Sequence, residues 1–433
     1  MINPHQKPDQ SGVRRTRSRW WSAGLAGVTG LALTTVGIAA TPAAGRSLPV
    51  PDDLPSTDRH HADRGSRGAP VPCDADALIA AITLANARGG ATLDLATDCT
   101  YLLTADIDGA GLPAIATPIT LNGNKHTTIE RAAATDQFRI LTVNTGGNLT
   151  LNKLTITGGH TPDDGDGGAV LVDAGGTLTT NHSTITRNIA ENDGGAIANN
   201  GTTRVKQSTI ERNAASGVGG GIVSAGLLDV NKSRLNANTA FVGAGVSSVG
   251  TAHIEHSGIT ANHAAGSVGG LLMSGGTVTN TKITDNTALE VGGVLANTDT
   301  QLTLTSVTLA GNTATGGRGG GLAINSGASV VIAESVVANN TADRDGGGIY
   351  NLAEIVVRNT KVTGNQSGDQ GGGIYSDESA TLFDTKVVKN IAITEGGGIF
   401  NEGGGTVELN TATGTIVIKN RPDNCVNVPG CAG

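Results

Sequence analysis

Carboxylates gather at one place in this chain. The segment Thr161-Pro-Asp-Asp-Gly-Asp-Gly-Gly168 holds Asp163, Asp164 and Asp166, and Glu191-Asn-Asp-Gly-Gly195 adds Asp193. Oxygen ligands in such density suit calcium, which takes roughly six to eight of them. If the two segments stack on adjacent turns of a repeating fold, Asp166 and Asp193 stand about 4.8 Å apart. Asp163 or Asp164 would then complete a shared site. The same residues serve equally well as solvated turn acids, and both readings remain open. His182 and His256 occupy equivalent places in the repeat, but about 14 Å apart, too far for one metal. No Gly-x-Ser-x-Gly, His-Glu-x-x-His or Walker loop occurs.

A second set of residues suits binding. Tyr350 and Tyr375 each follow a core isoleucine, Ile349 and Ile374, so they point outward on adjacent coils. An apolar ring with a polar handle is a sugar-contact surface. Val218, Val242, Val268 and Val291 share one column, joined by Phe241. That stripe is either local packing under a short loop or a partner-contact patch. Arg318 and Asp345 are neighbours in the continuation of this column.

These residues are positioned by a repeat. Glycine pairs begin at Gly167, Gly194, Gly219, Gly243, Gly269, Gly292, Gly319, Gly346, Gly371 and Gly396, with Gly243-Ala-Gly the one variant. Their spacing is about 25 residues, a stacked architecture in which no repeat buries its apolar face alone. An asparagine precedes each pair after the first, from Asn188 to Asn390, with an aliphatic three residues before it, as in Ile185 and Ile210. Five before it stands a hydroxyl, as in Ser183 and Ser208, with Val307 the exception. In a strand the hydroxyl and the aliphatic share the inward face. The asparagine then ends the strand, where its amide bonds a turn, and the glycines supply the backbone angles that start the next. A helical repeat fails here, because each interior glycine costs a helix about 1 kcal/mol. The expected fold is all-β: a right-handed parallel β-helix over residues 91–420, three strands per coil, forming a rod of roughly 60 Å.

Gly194-Gly-Ala-Ile197 followed by Ile210-x-x-Asn213 resembles the GGAI and FxxN motifs of polymorphic outer-membrane-protein repeats, with Ile in place of Phe. More widely, residues 91–420 resemble secreted bacterial right-handed β-helix proteins of the pectate-lyase-like superfamily. The resemblance implies the fold. Its chemistry stays open, because that superfamily includes lyases, hydrolases, adhesins and passenger domains.

The flanks read as an exported protein. Arg14, Arg15, Arg17 and Arg19 precede an apolar run from Ala23 to Ala40, so residues 1–44 form an export signal by the Sec or Tat route. Residues 45–70 are a Pro-, Asp- and Arg-rich linker. In an exported chain the four cysteines read as disulfides, and proximity pairs Cys73 with Cys99 and Cys425 with Cys431. Residues 71–90 make an N-terminal capping helix with Leu78, Ile79, Ile82 and Ala85 on its apolar face, and residues 421–433 a C-terminal disulfide cap. The net charge of −8 falls further once the basic signal is removed. That acidity gives no reason to bind nucleic acid or an anionic membrane.

The functional expectation is a secreted, monomeric, non-catalytic scaffold that meets an extracellular polysaccharide or a cell-surface protein. The alternative is a polysaccharide lyase or hydrolase, with calcium as the possible cofactor. Both tryptophans, Trp20 and Trp21, lie in the signal, which removes the best sugar-stacking side chains. The uniformly short loops leave no cleft, and loops are where such folds carry catalysis.

Overall fold

A computed structural model describes residues 68–124, 126–162 and 164–432. The export signal expected over 1–44, most of the 45–70 linker and the candidate ligand Asp163 lie outside the described residues. The end of the expected linker is ordered sheet. Ala69–Val71 form a strand paired in parallel with Ala91–Leu95.

Alternating inward and outward side chains build one coil after another. Thr177–Asn181, Thr184–Thr186, Ile189–Ala190 and Ile197–Asn199 are the successive strands of a representative coil. Each pairs in parallel, in register, with its equivalent in the next coil, as Ile185 with Ile210 and Ile197 with Ile222. Among the described residues the four resulting sheets hold 14, 13, 9 and 12 strands. The coils over residues 118–172 keep the expected three strands, and nine later coils, from the one with Ile189–Ala190 to the one with Ile391–Ala392, carry a fourth. The added strand spans two residues just after the asparagine, as in Ile189–Ala190, too short to show a period in the sequence.

The interior is a stack of ladders. Ile185, Ile210, Leu235, Ile259 and Ile283 are fully buried, each worth roughly 1.5–3 kcal/mol on leaving water. The asparagines do more than end strands. From Asn188 to Asn420 they form a buried ladder in which each Nδ2 donates to the next Oδ1 at 2.9–3.0 Å. The same oxygen also accepts the preceding asparagine's backbone N–H, as Asn213 Oδ1 does from Asn188 at 3.0 Å. The second Nδ2 proton reaches a carbonyl one coil back, as from Asn213 to Ile185 at 3.0 Å. Each side-chain amide of the ladder is thus paired, as burial demands, whereas elsewhere Thr186, Asn199, Thr203, Ser367 and Asn401 each bury a side-chain oxygen without a partner. The hydroxyl column acts alike, Ser183 N donating to Ser208 Oγ at 3.1 Å, until Val307 interrupts it.

The ends differ. Asp74 caps helix Ala75–Ala87, its carboxylate accepting from Ala77 N, and Leu78, Ile82 and Ala85 are buried against the first strands. The helix thus covers the first coil's open edge. Disulfides join Cys73 with Cys99 and Cys425 with Cys431, as the cysteine positions suggested.

Candidate functional site

The acidic turn is built for backbone capping. Asp166 Oδ1 accepts from Asn192 Nδ2 at 2.8 Å and from Asp193 N at 3.2 Å. Asp193 Oδ1 in turn accepts from Val218 N at 2.7 Å, one coil further on. Burial pushes the Asp193 carboxyl above its ordinary range; the Val218 amide opposes this and the neighbouring Asp166 charge reinforces it. Asp166 and Asp193 are therefore neighbours, while Asp164 is exposed in the turn before them. Asp166 and Asp193 each commit one carboxylate oxygen to an amide and keep the other without a hydrogen bond among the described residues. Among the described residues no group of three acids, histidines or cysteines converges on one point.

The tyrosines sit in a different setting. Tyr350 and Tyr375 are in register on adjacent strands of the 12-strand sheet, turned away from the main core. They do not stand free, being only 9 % and 8 % exposed. Their rings stack at 5.0 Å between centroids and 22° between planes, and Phe400 continues the stack at 5.5 Å and 16°. Such pairs add roughly 0.5–1.5 kcal/mol beyond area burial. Tyr375 donates its hydroxyl to Glu402 at 2.6 Å. Burial, then this hydrogen bond to a carboxylate, drives the phenol's pKa well above its usual value.

Leu272, Leu295 and Ala323 precede this stack in the same register, making one outward apolar strip. Ala323 is its small member, between Leu295 and Tyr350. A groove of about 580 Å³ opens there, with Arg318, Arg344 and Asn325 among its walls. Arg318 donates to Asp345 at 2.8 Å and holds its guanidinium 5.3 Å from the Tyr350 centroid. Gly346, at φ +66°, and Gly347 admit the close turn beside this edge; a Cβ on Gly347 would meet the Gln366 carbonyl at 2.3 Å.

The valine stripe divides. Val268 and Val291 are buried and join the cluster beneath the groove edge, whereas Val242 is half-buried and Phe241 is 57 % exposed. Local packing explains the first two, and Phe241 remains a surface feature. Sequence reading found the tyrosines but missed Phe400, Glu402, Arg344 and the Ala323 gap. The periodic column of which Leu295, Ala323 and Tyr350 are members was the available signal.

Residues 334–352 match the Chlamydia polymorphic membrane protein repeat. That stretch includes Ser335 of the hydroxyl column, Asn340 of the ladder, the glycines at 346–348 and Tyr350 of the groove. The chain thus carries the repeat suggested by its GGAI-like motifs, on a parallel β-helix. Among solved structures it is similar to the Azotobacter vinelandii mannuronan C-5 epimerase AlgE4 A-module, at 16 % identity and TM-score 0.43, covering 79 % of this chain and 98 % of that one. The AlgE6 A-module of the same organism gives 16 % and 0.38, over 82 % and 94 %. Tailspike protein 3 of bacteriophage CBA120 gives 16 % and 0.38, over 85 % and 60 %. Likenesses this distant carry no argument about chemistry. No curated protein matches the chain in sequence.

Proposed function

We propose that this protein is an extracellular or cell-surface β-helix scaffold that binds an extended glycan along its side without transforming it. The observation that carries the reading is the strip from Leu295 through Ala323 to the Tyr350–Tyr375–Phe400 stack, walled by Arg318 and Asn325. An apolar floor with polar edges fits a sugar ring's faces and hydroxyls. Three of the acids beside it are already engaged: Asp345 with Arg318, Glu402 with Tyr375, and Glu290 with Ser267. None of these carboxylates stands free in the groove as a general acid or base. Two disulfides support an extracellular setting.

A glycan array, run beside reducing-sugar and unsaturated-product assays on the same polysaccharides, tests this. Retention of a glycan without product formation is expected. Turnover lost on Asp166→Ala with Asp193→Ala would replace the scaffold reading with an enzyme.

A further inference from the structure

The final coils carry a surface unlike the rest of this acidic chain. Lys389 and Lys419 occupy equivalent corners on adjacent coils, each with φ of 60°, immediately before ladder residues Asn390 and Asn420. Arg421 pairs with Ile391 across the same corner. These residues line a concavity of about 530 Å³ with no carboxylate in its wall. Among the described residues none of the three cations forms an ion pair. Of the acids nearby, Asp423 accepts from Gly396 N and Asp369 from the Thr394 hydroxyl, while the exposed Asp343 lines the adjoining depression beside Ile391 and Ile393.

Apolar side chains crowd the same corner. Ile391, Ile416 and Ile418 are about two-fifths exposed, and Ile393 is 76 % exposed. They are four of the eleven exposed large hydrophobic residues, confined to the last stretch of the chain, so chance scatter does not account for them. This surface lies on the 13-strand and 9-strand sheets, whereas the groove lies on the 12-strand sheet.

Charge and shape select the occupant. Like charges oppose a second copy of the same patch. Aliphatic side chains offer a sugar ring no aromatic face, and a fully solvated polyanion gains nothing from Ile393. An interface with negative headgroups over hydrocarbon uses both parts. We propose that this end of the β-helix docks on an anionic lipid surface, with Lys389, Lys419 and Arg421 on headgroup phosphates and Ile391 and Ile393 at the acyl boundary. The net acidity of the molecule opposes the contact only at distances that salt screens.

Flotation of the full chain with phosphatidylcholine vesicles, with or without phosphatidylglycerol, tests the proposal. Binding to the mixed vesicles alone, weakening as salt rises, is expected. Lys389→Gln with Lys419→Gln lowers partitioning about twenty-five-fold, near fivefold per charge. Ile393→Ser lowers it further without changing the salt dependence. These side chains are exposed, so an unchanged thermal midpoint confirms that each variant is folded. Equal binding to neutral vesicles, no binding, or binding indifferent to the lysine changes overturns the proposal. Retention of soluble dextran sulfate without vesicle binding also overturns it and assigns the patch to a polyanionic sugar.

Discussion

The guanidinium of Arg318 stands 5.3 Å from the centre of the Tyr350 ring and 2.8 Å from Asp345, whose side chain is buried. One residue thus fixes the groove wall and neutralises a buried carboxylate. Arg318→Met should cost about 1–3 kcal/mol, chiefly because Asp345 loses its charged partner. Urea unfolding reads this directly. A variant as stable as the parent would reduce the pair to a surface contact.

The asparagine ladder should behave as a unit. Asn286→Ala removes the acceptor of Asn262 Nδ2 and N and the donor to Asn312 Oδ1 and the Ile259 carbonyl. Leaving several buried groups unpaired should cost about 3–5 kcal/mol, well above a single hydrogen bond. A loss near 1 kcal/mol would mean that water repairs the gap.

Val307 offers the converse. It is buried where neighbouring coils place a hydroxyl, so the Thr281 amide lacks the acceptor that Ser208 gives Ser183. Val307→Thr restores the column and should stabilise by about 0.5–1.5 kcal/mol. A fall in the thermal midpoint would show that crowding outweighs the added bond.

Much of this was legible in the sequence because identical residues stack on themselves. Asn, Ser/Thr and Ile columns must align if each coil is to bury its edge against the next, so their spacing reported the fold. The fourth strand escaped because two residues such as Ile189 and Ala190 carry no period. The groove was half visible. Alternation correctly turned Tyr350 and Tyr375 outward, but their burial depends on stacking with Phe400 and on Arg318, which approaches from the turn column. Asp166 and Asp193 were correctly placed as neighbours. Their backbone partners depend on turn geometry that residue identities do not encode.

Asp193 gives a pH signature. Its carboxyl is raised in the folded state, so the native form holds the proton more tightly than the unfolded chain. The resulting stabilisation is complete below the ordinary carboxylate range, about pH 4, and is lost as pH rises through the folded value. Asp193→Asn keeps an oxygen for the Val218 amide and should therefore stabilise at neutral pH, with the advantage vanishing in acid. Parallel melts across pH check the sign. A midpoint raised by calcium in the parent but not in Asp193→Asn would instead assign the turn to the metal.

The most direct test of the glycan-groove account is calorimetric titration of an array-selected oligosaccharide into the parent, Tyr350→Ala and Ala323→Phe, beside Phe241→Ser as an exposed surface control two coils before the groove wall. The account predicts at least a tenfold loss of affinity when Ala323→Phe fills the groove, a comparable loss for Tyr350→Ala, and parental binding by Phe241→Ser. Full affinity with the groove filled would contradict it.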